Sequence, residues 1–528
     1  VAVGANALDA NTTGSSNVSV GKGALGANTT ADSNVAVGYD SLALNTTGHS
    51  NVAVGRSAML ANTTGSENTA LGYQALDAAT TADNNVAIGR LAGTGLTTGG
   101  SNTIVGAAAM QTNSTGVGNV AVGISALAVS QGSDNVAVGR TAGDAITTAA
   151  NNVLMGTDAG GSLTTGGNNV IIGKDSLSQQ TETGNNTAVG YKAGSANTTG
   201  FYFTAIGAYA GENHTTGEGN IFIGYEAGHD VTTGSTNLAI GFRAFDGGNG
   251  GSNIAIGNNS LGGASNSGNS NVAVGVSSGL SITTGVQNTW VGNYAGDGQT
   301  TANNCVAVGY EALTGALTGG NNVAVGVGAA SAMTSGTDNT CVGHAAGNAI
   351  TTGTNNVLIG YNNDVDAGDV VNVIGIGTNQ TTLSSNTIYL GRSGNQTYKS
   401  MTSGTTWTFA SDERLKTDIA DENENMGLSF INKLQPRTFK WKASQDVPES
   451  LTSQYDKDTN HKDTTTTNHG FIAQEVKTAM DSLNIPTSFT GWSEQSDGTQ
   501  GVAMGEFIIP LINAVKELSV EIDKLKGE

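Results

Sequence analysis

The strongest constraint on this chain is a spacing. Glycines closing N-V-A-V-G or a close variant stand at 4, 21, 38, 55, 72, 89, 106 and 123, a constant step of 17. After one step of 16 they continue through 139, 156, 173, 190, 207, 224 and 241. Steps of 16 and 18 lead to Gly257 and Gly275, and then 292, 309, 326, 343 and 360 resume the 17, with fainter echoes at Gly377 and Gly391. Such a period belongs to stacked architectures, in which each unit covers the apolar face of its neighbours. A unit of that length accommodates two short strands and two turns, not a pair of helices.

The columns of this repeat are selective. The residue before each anchoring glycine is apolar, the residue three before is Val, Ile, Leu or Thr, and Ala usually lies between. That alternation of β-branched types predicts a short strand with one face buried and a small-residue face packed closely against something else. The glycine suits a corner that excludes a Cβ. Asn stands four before the glycine in 19 of 21 cases, the exceptions being Phe203 and Cys305, so stacked coils would form an amide ladder. At ~4.8 Å per coil, the stack would be a rod about 100 Å long. All four prolines lie in the last 93 residues, as expected if strands of the repeat donate on both edges. One two-stranded coil buries little, so three chains joined through the alanine face are expected.

Composition sets further bounds. Formal charge is −21, from 42 acidic and 21 basic residues, which argues against a general grip on nucleic acid or attraction to anionic membranes. No apolar run approaches the ~18 residues of a membrane span, so no membrane insertion is expected. Val1 falls inside a repeat, and the expectation is the end of a longer chain. Two cysteines, Cys305 and Cys341, provide no disulfide framework and are expected as buried free thiols. Residues 1–398 carry 8 basic and 22 acidic side chains, the remainder 13 and 20, so two architectures meet near residue 400. The expected division is a repetitive shaft over 1–360, a transition over 361–410 containing Tyr398, Trp407 and Phe409, and a separate domain over 411–528.

Beyond the transition, S-D-E-R-L-K at 411–416 has the local form of a helix start, with Ser at the cap and acidic residues in the first turn. Met504, Ile508, Leu511, Val515, Leu518, Ile522 and Leu525 step by 4, 3, 4, 3, 4 and 3, an a/d heptad seam. A helix packed on its own domain is the alternative. Other candidate sites are weaker. Asp364, Asp366 and Asp369 lie in D-V-D-A-G-D but lack the spacing and distal Glu of a calcium loop, so a solvated turn is the competing reading and no metal is expected. Phe201, Tyr202, Phe203, Phe222 and Trp290 interrupt the Ala/Val pattern, as core or interface packing or, if exposed, as a platform for sugars. No dinucleotide fingerprint, HExxH or CxxC occurs, and no cofactor is expected.

Two resemblances add to these readings. The N-V-A-V-G and N-T-A-V-G units resemble the head repeats of trimeric autotransporter adhesins, left-handed β-rolls that also occur in phage tail fibres. The S-D-E-R-L-K block, followed by L-Q-P-R-T-F-K-W at 434–441 and H-G-F-I-A-Q-E-V at 469–476, resembles the endosialidase-type intramolecular chaperone of the S74 peptidase family. Together they imply a mainly β fold: a trimeric left-handed parallel β-roll or β-solenoid of about 17-residue repeats, then a small α+β chaperone domain ending in a coiled-coil helix. Domains of this family trimerise, template the folding of the fibre before them and cut themselves off before the motif serine. Carried over, the scissile bond is Ala410–Ser411, Ser411 is the nucleophile and Lys416 its partner, with Asp412, Arg414, His469 and Glu475 as supporting groups.

That chemistry is sound on its own terms. A serine hydroxyl needs a base nearby, and a lysine serves if burial lowers its pKa. Attack on the preceding carbonyl forms a five-membered ring and then an ester, which water opens. Five residues along a helix is about 140° out of phase, so the pair must be completed by a bend or by a neighbouring subunit. The expected function is the distal part of a phage tail fibre for host-surface attachment, located in the virion, with autoproteolysis as its only enzymatic activity. Its expected partners are two further copies, a host receptor that is a glycan or an outer-membrane component, and upstream tail proteins. The alternatives are a bacterial trimeric surface adhesin and a capsule depolymerase tailspike.

Overall fold

The computed structural model describes residues 1–263, 265–393, 395–401, 408–409, 425–451, 454–455, 457, 463–495 and 498–527. It divides into two compact units, Val1–Ala410 and Ser411–Glu528.

The first unit is a parallel β-solenoid. Each repeat contributes one strand, from Ala2–Val3 (β1) and Val18–Val20 (β2) to Val357–Ile359 (β22). Each strand pairs in parallel with the next at the repeat spacing, as Val35 with Val52, Ala36 with Ala53 and Val37 with Val54. The strands are short because the corner glycine ends each one. At Gly173, with φ of +134°, an added Cβ would lie 2.2 Å from the Gly190 carbonyl oxygen of the next coil, a contact no side chain tolerates. The asparagine column does form a ladder, though chiefly to backbone. Asn34 Oδ1 accepts the Asn51 N–H at 2.9 Å, while Asn34 Nδ2 donates to the Gly48 carbonyl at 2.9 Å. The T-T-G turn stacks by the same logic, Thr46 N–H and Oγ1 both donating to the Thr63 carbonyl at 2.9 Å.

The faces are opposite to those expected from the sequence. The small middle residue of each strand points into the solenoid: Ala36, Ala53, Ala70 and Ala87 are fully buried. The flanking residues, mostly β-branched, point outward, and Leu71 and Ile88 are 47 % and 38 % exposed in the single chain. The reason is volume, since the interior is also filled from the corner side. Four residues past the anchoring glycine stands a leucine or methionine such as Leu42, Met59 or Leu76, fully buried and held at positive φ of 50–53°. Left-handed backbone costs a leucine about 1–2 kcal/mol, less than the ~1.5–3 kcal/mol gained by burying its side chain. Where that position is glycine, larger groups replace the leucine. Gly93 is accompanied by Leu96 and Ile104, both fully buried, and Gly279 by Trp290.

The aromatic interruptions divide accordingly. Phe203, Phe222 and Trp290 are fully buried, and Tyr202 is 62 % exposed, with Phe201 edge-on to it. Both cysteines are buried free thiols, and burial pushes Cys341 up to about 12. Cys305 takes an asparagine's place in the ladder: its N–H donates to Asn288 Oδ1 and its thiol to the Gly319 carbonyl.

Parallel pairing continues past the strict period through Val373–Thr378 (β23) and Thr387–Arg392 (β24). The chain then reverses. Asn395–Ser400 (β25) pairs antiparallel with β24, bringing Tyr389 opposite Tyr398, and Thr408–Phe409 (β26) pairs antiparallel with β25.

The second unit is small and mixed. Leu428–Ile431 (α1), Ala473–Ser482 (α2) and Ile508–Lys526 (α3) surround a core of Met426, Phe430, Leu434, Val476, Met480, Ile485 and Phe507. Two hairpins complete it: Arg437–Phe439 (β27) with Asn468–Gly470 (β28), and Trp492–Glu494 (β29) with Gln500–Val502 (β30). No helix among the described residues is long and apolar enough to cross a membrane.

Candidate functional site

The second unit joins two of its three sequence blocks directly. L-Q-P-R-T-F-K-W supplies β27 and H-G-F-I-A-Q-E-V supplies β28 and the start of α2, with Thr438 opposite His469. Arg437 and Glu475 lock them by a two-pronged pair, Nε to Oε2 at 3.0 Å and a terminal guanidinium nitrogen to Oε1 at 2.8 Å. That bond holds the Glu475 carboxyl below its ordinary value. Glu475 therefore stays an anion on α2, and His469 lies exposed on β28. Ala410, Ser411, Asp412, Arg414 and Lys416, with the Ala410–Ser411 bond, lie outside the described residues.

Helix α3 has two distinct faces. Ala514 and Pro510 are buried, and Glu517 Oε2 accepts the Leu428 N–H at 2.8 Å, capping α1. The heptad seam lies elsewhere on the helix. Ile508, Leu511, Val515, Leu518, Ile522 and Leu525 are all exposed in the single chain, Val515 at 58 % and Leu525 at 73 %. A 19-residue helix that packs on its own domain through one side still presents a full apolar stripe on another.

The shaft repeats this situation at larger scale. Its outward column just before the corner glycines forms a continuous apolar stripe that includes Val20, Leu71, Ile88, Ile206 and Val291, all exposed. Beside it runs a cation–aromatic column one residue past the corner glycine. There the Lys22 Nζ and the Arg56 guanidinium flank the Tyr39 ring, 5.6 and 5.8 Å from its centroid, and Arg56 also lies 5.8 Å from Tyr73.

The aspartates of D-V-D-A-G-D do not converge. Asp364 turns inward to accept N–H groups from Ala349 and Val365, and burial raises its pKa. Asp366 accepts the Ser384 hydroxyl at 2.8 Å, while Asp369 is exposed. Among the described residues, one cluster of three metal-ligating side chains has donor atoms within 4.8 Å of one another: His229, Asp230 and Asp246. Motif inspection misses it because His229 and Asp246 are a full repeat apart in the chain and meet only as neighbours in successive coils.

Comparison with protein families matches residues 411–485 to Peptidase_S74, the chaperone of endosialidase. No curated protein and no solved structure matches the chain. The chain thus joins a parallel β-solenoid to a segment similar to the chaperone of endosialidase.

Proposed function

We propose that this protein is the distal part of a trimeric phage tail fibre, a shaft that contacts the host surface and is assembled by its own C-terminal chaperone. The observation that carries this reading is the pairing of two unpartnered apolar stripes with the family match. One runs along a solenoid whose interior is already full, and the other along α3 in the unit containing residues 411–485. A second and third copy would cover both, the shaft associating through Val and Ile rather than Ala.

In this reading the helical seam gathers three chains, and the stacked coils then zip against one another. Ser411 attacks the Ala410 carbonyl with Lys416 taking its proton; the Ala410–Ser411 C–N bond then breaks as Lys416 returns that proton to the leaving amine, and water opens the resulting ester. The released shaft keeps its form because unfolding it is slow, whatever the equilibrium. Its partners are a host glycan or outer-membrane component and upstream tail proteins, and its location is the virion.

The test is intact mass of the purified protein beside a Ser411→Ala variant, with sedimentation to count chains. Loss of the C-terminal piece Ser411–Glu528 from the parent alone, on a trimeric shaft, is the expected result. A monomeric shaft in solution would overturn the assembly reading, and an uncut parent chain would overturn the self-cleavage.

A further inference from the structure

Glu212, His229 and Asp246 occupy one place in three successive coils, each five residues past its anchoring glycine (Gly207, Gly224, Gly241). Stacking therefore brings them into a column, with Asp230 beside His229. Around the imidazole, Nε2 lies 3.2 Å from Glu212 Oε2, whose other oxygen is held by Lys192 Nζ at 2.9 Å. On the far edge, Nδ1 faces Asp230 Oδ1 at 2.8 Å and Asp246 Oδ1 at 4.0 Å. Asp230 Oδ1 also accepts from Asn213 Nδ2 at 2.9 Å, and Asp246 Oδ2 from Arg243 Nε at 2.9 Å.

One atom in this arrangement is unexplained. Asp246 is 9 % exposed, and its Oδ1 is buried with no hydrogen-bond partner. A doubly protonated His229 would satisfy Glu212 and Asp230 but leave Asp246 Oδ1 stranded, since 4.0 Å is too long for a hydrogen bond. An orphaned buried carboxylate oxygen is costly. A cation between Nδ1 and the two carboxylates resolves this. Zinc bonds of ~2.0–2.1 Å in a tetrahedron set ligand atoms about 3.3 Å apart, a spacing that the observed 2.8 and 4.0 Å straddle. A neutral imidazole and two carboxylates balance a divalent charge, and the imidazole favours a zinc-class ion over magnesium or calcium. Glu212 stands where metal-bound histidines commonly keep a carboxylate, accepting from the opposite ring nitrogen and fixing the tautomer.

We propose that His229, Asp230 and Asp246 form a binding site for a zinc-class divalent metal that staples two successive coils, with Glu212 as its positioning residue. The staple lies at the start of the short coil between Gly241 and Gly257, just before the glycine-rich run at 247–251.

The test uses the full chain, stripped with chelator and titrated with Zn²⁺ alone, beside His229→Ala and Asp246→Asn. The parent is expected to bind one equivalent per chain more than either variant, and excess Mg²⁺ should not displace it. Glu212→Gln should weaken binding about 10–100-fold while keeping the visible absorption of Co²⁺ bound in its place. Circular dichroism checks that the variants keep the parent's stack. Equal Zn²⁺ uptake by parent and both variants, no uptake by the parent, or displacement by Mg²⁺ would each overturn the proposal.

Discussion

His214 holds a position that Asn28, Asn45, Asn62 and Asn197 hold in other coils. It stacks on Phe203 with ring centroids 4.6 Å apart and meets Phe222 edge-on, while the amides of Asn197 and Asn220 approach its two nitrogens. Phe203 breaks the asparagine ladder, and His214 returns a partner to Asn220, so the two departures compensate each other. Burial pushes the imidazole down to about 4 from its ordinary 6.5. Between those values the unfolded state binds a proton that the folded state refuses, so stability falls as pH drops from 6.5 and levels off below about 4. The loss is about 3 kcal/mol, concentrated in the coils around residue 214. Native-state hydrogen exchange should show protection there decreasing across this window relative to His214→Asn, which lacks the titrating group. Identical pH profiles for the two proteins would refute the assignment.

At the scale of the element, the coil is a fixed volume filled in alternative ways. One set is Leu42, Asn45 and Ala53, and another is Gly93, Leu96 and Ile104, at matching positions. At Gly93 an added Cβ would already stand 2.9 Å from both Ile104 Cδ1 and Leu76 Cδ2. Gly93→Leu alone should therefore overpack the coil and cost about 1–3 kcal/mol. Adding Leu96→Asn and Ile104→Ala should recover most of that loss, a strongly non-additive result measurable by thermal unfolding. If the triple variant is less stable than the single one, the volume argument fails. Strand positions, corner glycines and the asparagine ladder were legible in the sequence because each recurs at a fixed interval. The direction of the faces was not. Valine outranks alanine in hydrophobicity, and only the leucine entering from the corner shows that the lumen has no room for it. The Glu212, His229 and Asp246 column was equally hidden, since its members become neighbours only when the sequence is wrapped on its own period.

For the whole molecule, the exposed seam of α3 and the outward stripe of the shaft make different predictions. Leu518→Asp places a charge in the seam without touching the contacts of Pro510, Ala514 or Glu517. Freshly expressed chains carrying it should fail to assemble and remain largely monomeric by sedimentation, and full assembly would remove the seam from the mechanism. A charge in one shaft coil, such as Ile206→Asp, should leave assembly intact and lower only local stability. The glycine column carries a further consequence. Coils so alike can fit a neighbour's place almost as well as their own, so a chain folding into its own stack faces an indexing problem: two strands one coil out of step differ little in energy. What breaks the degeneracy is whatever departs from the period, namely the short coils from Gly123 to Gly139 and from Gly241 to Gly257, the long one from Gly257 to Gly275, the Phe203–His214–Phe222 cluster and the indole of Trp290. A shift by one coil would force Trp290 into a slot shaped for the side chain of Ala273 or Ala307, whose strands flank its own. These irregular coils act as notches on a ruler, letting a nearly periodic chain find its one correct alignment.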